Sequence, residues 1–252
     1  MSIRVLGISG SPRKGNSVYL LDLALEAARQ RFPEMVETEM YRFRGKKMGP
    51  CLGCNNCVEN GGTCIIDDDF QDLRDKWLAA DVIIYSVPVY HMSMPGQLKC
   101  FIDRLGNSLF GLTRVSLPDG SQTIPKLLKI VASIAQGSHV FSGQEHTITD
   151  LINHALVLQS IPVTADLWES YIGVGGWTLL RDDRQSFQAL EEEHVMSAEA
   201  TVRATKVIGR RAVELAEVTR RGLEASRELL QDDPMYRYVF DRLDGRKSKT
   251  GG

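Results

Sequence analysis

Ile3-Arg4-Val5-Leu6-Gly7-Ile8-Ser9-Gly10-Ser11-Pro12-Arg13-Lys14-Gly15-Asn16-Ser17 joins an apolar run to a Gly/Ser-rich loop and the start of a helical pattern. Residues 2–8 form a short apolar run that predicts a strand, and a Gly/Ser-rich loop breaks it. Leu20, Leu21, Ala24, Ala27 and Ala28 then recur at helical spacing and predict a helix over 18–30. Asn16 or Ser17 is the expected N-cap. Such a loop offers backbone N–H groups and hydroxyls at a helix N-terminus, which is a ready anion site. It nearly fits the nucleoside-triphosphate pattern G-x4-G-K-[ST], but Asn16 stands where the lysine belongs. Nothing would then reach the β- and γ-phosphates. The glycines at 7, 10 and 15 do not fit G-x-G-x-x-G either. Hydroxyls from Ser9, Ser11 and Ser17 suit a lone terminal phosphate. The plain alternative is a strand-to-helix turn.

Working outward, 36–43 reads as a weak strand, 45–67 as a cysteine-containing loop and 68–79 as a helix. Val82-Ile83-Ile84-Tyr85-Ser86-Val87 is a continuous apolar run, the pattern of a strand buried on both faces. A helix over 97–105, a strand over 127–134, a helix over 144–159 and a last strand over 161–167 follow. Alternation of this kind implies an α/β fold with a doubly wound, parallel, five-stranded sheet. Ligands of such sheets bind at the C-terminal ends of the strands.

The domain reading places one unit at 1–185, a helical extension at 186–231 and a polar tail at 232–252. Val195, Ala198, Val202, Thr205, Ile208, Ala212 and Leu215 give the extension helical spacing, as one long helix or two. It serves either as a packing helix with a solvated charged face or as a subunit-interface helix.

Composition excludes several classes. With 252 residues, 43% of them hydrophobic, the chain can bury a core without staples. Thirty Lys and Arg against 32 Asp and Glu leave no basic excess, so nucleic acid is not an expected partner. No apolar run approaches a membrane span. The first eight residues do not read as a signal peptide, so a cytoplasmic location is expected.

Four of the five cysteines, Cys51, Cys54, Cys57 and Cys64, fall within 14 residues. An odd total without a secretion signal argues against a disulfide scaffold. Structural zinc sites more often use two C-x2-C knuckles separated by a longer span. C-x2-C-x2-C with a nearby fourth cysteine is the arrangement that wraps a cubane cluster. Gly49, Gly53, Gly61 and Gly62 permit the sharp backbone that wrapping needs. A thiol or disulfide role without metal, and zinc, both stay open. Cys100 lies in an amphipathic helix and reads as a small buried hydrophobe.

Leu6 to Ser17 resembles the FMN phosphate loop of the NAD(P)H-dependent FMN reductase branch of flavodoxin-like proteins. Ser86-Val87-Pro88-Val89-Tyr90, then Met94-Pro95-Gly96-Gln97-Leu98-Lys99 and Ile102-Asp103-Arg104, resembles that family's second flavin loop and following helix. Ser142-Gly143-Gln144-Glu145 resembles the end of its third loop. The resemblance spans residues 3–167. It implies that Ser9, Ser11, Pro12, Arg13, Asn16 and Ser17 hold the phosphate of FMN. It places Pro88, Val89, Tyr90, His91, Met92 and Ser93 along one edge of the isoalloxazine, with Gln136 and Gly137 bordering the other side. Tyr90 and His91 are expected as wall rather than catalyst. The flavin carries the hydride chemistry, so no catalytic acid or base is nominated.

The compact cysteine motif is similar to that of the iron-sulfur flavoproteins, a subgroup of the same family. The resemblance implies a [4Fe-4S] cluster on Cys51, Cys54, Cys57 and Cys64, and a homodimer or homotetramer. The function expected is an oxidoreductase passing electrons between FMN and the cluster. Its partners would be a small-molecule or protein electron donor or acceptor, with NAD(P)H as a possible donor. Two alternatives remain: an NAD(P)H-dependent FMN, quinone or nitro-type reductase without a cluster, and a phosphate-binding interaction module with a zinc loop.

Overall fold

A computed structural model describes residues 2–181 and 186–245. Strand β1 (Ile3–Ser9) leads into α1 (Asn16–Arg31) and β2 (Val36–Arg42). After the cysteine loop, which contains the single turn α2 (Asn56–Glu59), come α3 (Phe70–Ala79), β3 (Val82–Pro88) and α4 (Gly96–Thr113). A small hairpin of β4 (Val115–Ser116) and β5 (Gln122–Thr123) precedes β6 (Ile130–Gly137) and α5 (Gln144–Val157). The chain continues through β7 (Ile161–Pro162), β8 (Val174–Trp177), α6 (Ser186–Glu192), α7 (Met196–Ala225), α8 (Arg227–Leu230) and α9 (Arg237–Leu243).

The main sheet is parallel, in the order β2-β1-β3-β6-β7, with β8 also on β6. Chain order reverses direction between β1 and β3, so the crevice at their C-terminal ends is the topological switch point. Alternate side chains of each strand feed two cores. Val5, Val82, Ile84, Ala132 and Ile134 pack with α1 and α7 on one face. Leu6, Ile8, Ile83, Tyr85 and Val131 pack with α3, α4 and α5 on the other. Both faces of β3 are buried along its whole length, as its unbroken apolar run requires.

The structure corrects the sequence reading at four places. The N-cap of α1 is Gly15, with no side-chain capping bond, because Asn16 and Ser17 are both engaged elsewhere. Helix α4 runs on to Thr113, past Gly106 and Gly111. The strand expected over 161–167 is only Ile161–Pro162 long, with the Val163 N–H still donating to Val131 O at 2.9 Å before the chain leaves the sheet. The same edge of β6 is then completed by β8, giving six strands in five positions. Of the two alternatives read for residues 186–231, the packing helix describes α7, because its Ala198, Val202, Ile208 and Ala212 belong to the core that also holds α1 and the sheet. Finally, the polar tail read from 232 contains α9, which buries Val239, Phe240 and Leu243 against Leu223. Residues 246–252 of that tail lie outside the described residues.

Candidate functional site

The C-terminal ends of β1, β3 and β6 lie side by side, with Ser9 opposite Ser86 and Pro88 opposite Gln136. This register gathers the three loops read from the sequence. The first, residues 10–15, is pinned at its base by the Gly10 N–H donating to Ser86 O at 3.1 Å. Ser17 Oγ accepts from Gln136 Nε2 at 3.4 Å, and Ser86 Oγ donates to Ser17 O at 2.8 Å, tying all three strand ends to the start of α1.

Several groups here are left for a ligand. Ser9 is fully buried, and its hydroxyl has no hydrogen-bond partner among the described residues. Ser11 Oγ accepts from the Arg13 N–H at 3.2 Å, which curls the loop back on itself. Among the described residues, the N–H groups of Lys14, Gly15, Asn16 and Ser17 have no backbone acceptor and converge where the helix dipole is positive. The side chains of Arg13 and Lys14 are exposed beside them. An orphaned buried hydroxyl, free N–H groups and two cations fit a phosphate monoester. Asn16 fits less simply: its Oδ1 accepts from the Phe187 N–H at 3.2 Å, so part of its side chain serves to dock α6.

The second loop is a two-residue turn. Tyr90 N donates to Ser93 O at 2.8 Å and Ser93 N to Tyr90 O at 3.1 Å, with His91 at φ 46° and Met92 at φ 72°. Positive φ at both central positions defines a type I′ turn, which Asn and Gly favour and which costs these larger residues backbone strain. The turn is held from three sides. Val89 N donates to Gln136 O at 2.7 Å, and Ser93 Oγ donates to Asp150 Oδ2 at 2.7 Å. Gly143 presses so close that a Cβ there would sit 2.4 Å from Met92 O. Tyr90 and Met92 stay exposed at the rim.

The third loop, after Gly137, has a wall the sequence did not suggest. Thr178 N donates to Gly137 O at 3.0 Å and Leu180 N to Ser138 O at 2.7 Å. Residues 174–180 therefore line the site although they lie beyond the span of the resemblance. The pair Gly175-Gly176 was the available signal.

The cysteine loop lies across α3 and α4. Cys51, Cys54, Cys57 and Cys64 all line one small cavity, together with Leu52, Ile65, Ile66, Arg104 and Asn107. Burial pushes the Cys57 thiol up, and Cys64, Cys51 and Cys54 around it add to the shift. Among the described residues no three His, Cys, Asp or Glu side chains converge on the position of a single metal ion. By donor chemistry, four soft thiolates lining one cavity fit an iron-sulfur cluster or zinc.

An ion pair closes the loop: Arg104 Nη1 donates to Asp68 Oδ2 at 2.6 Å, with both side chains almost fully buried. Burial alone would raise the Asp68 carboxyl. The Arg104 guanidinium and the N–H groups of Gly49 and Phe70 overcome that and hold it below the usual carboxylate range.

A doubly wound sheet with a loop that fits a phosphate monoester at its switch point and a clamped turn beside it is a flavodoxin-like fold. The family model for NADPH-dependent FMN reductase matches residues 3–169, and the chain belongs to that family. It is accordingly an FMN-dependent oxidoreductase. An iron-sulfur flavoprotein of Methanocaldococcus jannaschii is 35% identical over 162 residues, covering 64% of this chain and 76% of that one. An iron-sulfur flavoprotein of Methanosarcina thermophila is 31% identical over 191 residues, covering 75% and 91%. Among solved structures, an NAD(P)H:quinone oxidoreductase from Methanothermobacter marburgensis superposes with a TM-score of 0.58 at 12% identity, over 83% of this chain and 98% of its own. That likeness is one of fold. No helix among the described residues is long and apolar enough to cross a membrane.

Proposed function

We propose that this protein passes electrons between FMN, held at the ends of β1, β3 and β6, and a [4Fe-4S] cluster held by Cys51, Cys54, Cys57 and Cys64. One observation carries the reading: the four cysteines line a single cavity set against α4, the helix that begins directly after the ring loop. When bound, FMN exchanges electrons in pairs or singly and the cluster exchanges them singly.

The chain's own residues bind and orient. Ser9, Ser11, Pro12, Arg13, Asn16 and Ser17 form the phosphate cradle. Residues 88–93 hold one edge of the ring, and Gln136 and Gly137 hold the other. Helix α4 fixes the spacing of the two sites, because the eight helical steps from Gly96 to Arg104 span about 12 Å. NAD(P)H as donor would meet the same exposed flavin edge beside Tyr90 and Met92. The exposed Cys51 and Cys54 favour an assembly, a homodimer or homotetramer, that covers the cluster loop.

The same exposure supports a second reading, a two-electron reductase of quinones or nitro compounds whose cysteines hold no cluster. Purification without oxygen separates the two. Flavin released by heat should run with FMN, and iron and acid-labile sulfide should each reach about four per chain, the composition of the cubane. FAD as the main flavin would overturn the cofactor assignment. Iron-free protein would leave the second reading in place.

A further inference from the structure

Arg104 holds the cysteine loop from both sides. Its Nη1 donates to Gly49 O at 3.2 Å, just before Cys51, and its Nη2 lies 3.5 Å from Ile66 O, just after Cys64. Asp68 takes the charge, and the Phe70 ring lies 4.2 Å from the guanidinium carbon. One nitrogen is left over. Arg104 Nε is buried with no hydrogen-bond partner among the described residues, although the side chain lines the four-cysteine cavity beside Cys64. Buried N–H groups almost always find an acceptor, and the Cys64 sulfur, which interacts with the Arg104 side chain, is the one at hand on the cavity wall.

We propose that Arg104 is a positioning residue for the cluster site: its Nε–H is held ready for a sulfur acceptor in the cavity, foremost the Cys64 thiolate, and so raises the reduction potential of the group bound there. This rests on the cluster reading above. Hydrogen bonds to the sulfurs stabilise the reduced, more negative form, and they are among the terms that set cluster potentials. Asp68 offsets the formal charge of Arg104, which leaves the directed N–H as the distinctive contribution. Lysine could keep the ion pair with Asp68 but has no second, fixed N–H to aim at the sulfur.

Two measurements on the full-length protein test it. Arg104→Lys, prepared without oxygen, should keep its FMN and show a cluster midpoint potential shifted to more negative values, with the FMN potential unmoved. Wild-type protein carrying 15N in its arginine side chains should show a 15N coupling to the reduced cluster in pulsed EPR. An iron-loaded Arg104→Lys protein with an unchanged cluster potential would overturn the proposal. So would an iron-loaded wild type without the 15N coupling, and that result alone decides if the variant holds no iron. Either outcome in iron-loaded protein leaves the cluster reading intact, whereas wild type without iron removes both.

Discussion

Gly111 of α4 lies against the backbone of Cys57 so closely that a Cβ at 111 would sit 2.1 Å from the Cys57 carbonyl oxygen. The contact seats the one-turn helix α2 directly on α4, and Arg114 Nη1 reinforces it by donating to Val58 O at 2.7 Å. A helix that carries the ring loop at its start thus carries the cysteine loop along its second half.

Gly111→Ala tests that seating. In an open helix, Gly to Ala stabilises by about 1 kcal/mol. Here the added methyl meets backbone, which cannot rotate away, so the sign should reverse. The variant should melt at a lower temperature, lose most of its iron and keep its FMN. An unchanged or higher melting temperature with full iron would show that the loop can lift without cost.

The strands nearest the site were legible because their chemistry is local. Ile3–Ser9 is an apolar run interrupted by the exposed Arg4, Val82–Pro88 is apolar but for Ser86, and both match the sequence reading to within a residue or two. What escaped depends on tertiary partners. Strand β8, Val-Gly-Gly-Trp, has no alternation to read, and Gly176 is small because a Cβ there would meet Thr201 and Phe187 at 2.7 and 2.8 Å. Helix α9 looked polar because Arg237, Asp241 and Arg242 surround the three residues it buries. The side chain of Asn16 was read as a phosphate ligand, and nothing near it in sequence reveals that it also docks Phe187, 171 positions away.

Ser9→Ala separates a structural role from a binding one. The buried hydroxyl has no partner in the protein, so its removal should leave the stability of the FMN-free protein unchanged or raised. A hydrogen bond to a charged phosphate contributes about 1.5–3 kcal/mol, so FMN should bind tenfold to a hundredfold more weakly. Fluorescence titration of FMN into the apoprotein reads the second effect and urea unfolding the first. Unaltered FMN affinity would remove Ser9 from the cradle.

The core beneath the site makes stability depend on pH. Trp77 Nε1 donates to Tyr85 Oη at 3.0 Å, and the Tyr85 hydroxyl lies 3.2 Å from His154 Nε2. The indole can only donate, and donation from the Tyr85 hydroxyl to an unprotonated Nε2 is the tautomer that gives the buried tyrosine proton an acceptor. Burial, with a smaller push from Lys99, holds the His154 pKa at about 4. The unfolded chain takes up that proton near pH 6.5 and the folded chain does not. The contribution is therefore fully present above about pH 6.5 and lost as pH falls toward 4, about 3 kcal/mol in all. The stability difference between wild type and His154→Phe should shrink over that range in urea unfolding. A difference constant with pH would refute the neutral, buried histidine.

The four cavity cysteines should behave as one unit and Cys100 should not. A cubane needs a ligand at each of its four corners, so Cys51→Ala, Cys54→Ala or Cys57→Ala should lose the cluster or leave it oxygen-labile. FMN should survive each change, because its cradle is built from the ends of β1, β3 and β6 and not from the cysteine loop. These variants should stay yellow, lose the broad brown absorbance and lose transfer to one-electron acceptors. Cys100 sits half-buried on α4 and does not line the cavity. Cys100→Ala should keep both cofactors at a cost on the order of 1 kcal/mol of packing. Full iron content in Cys54→Ala would break the unit, and the reductase reading without a cluster would then account for the fold and for every residue of the phosphate and ring loops.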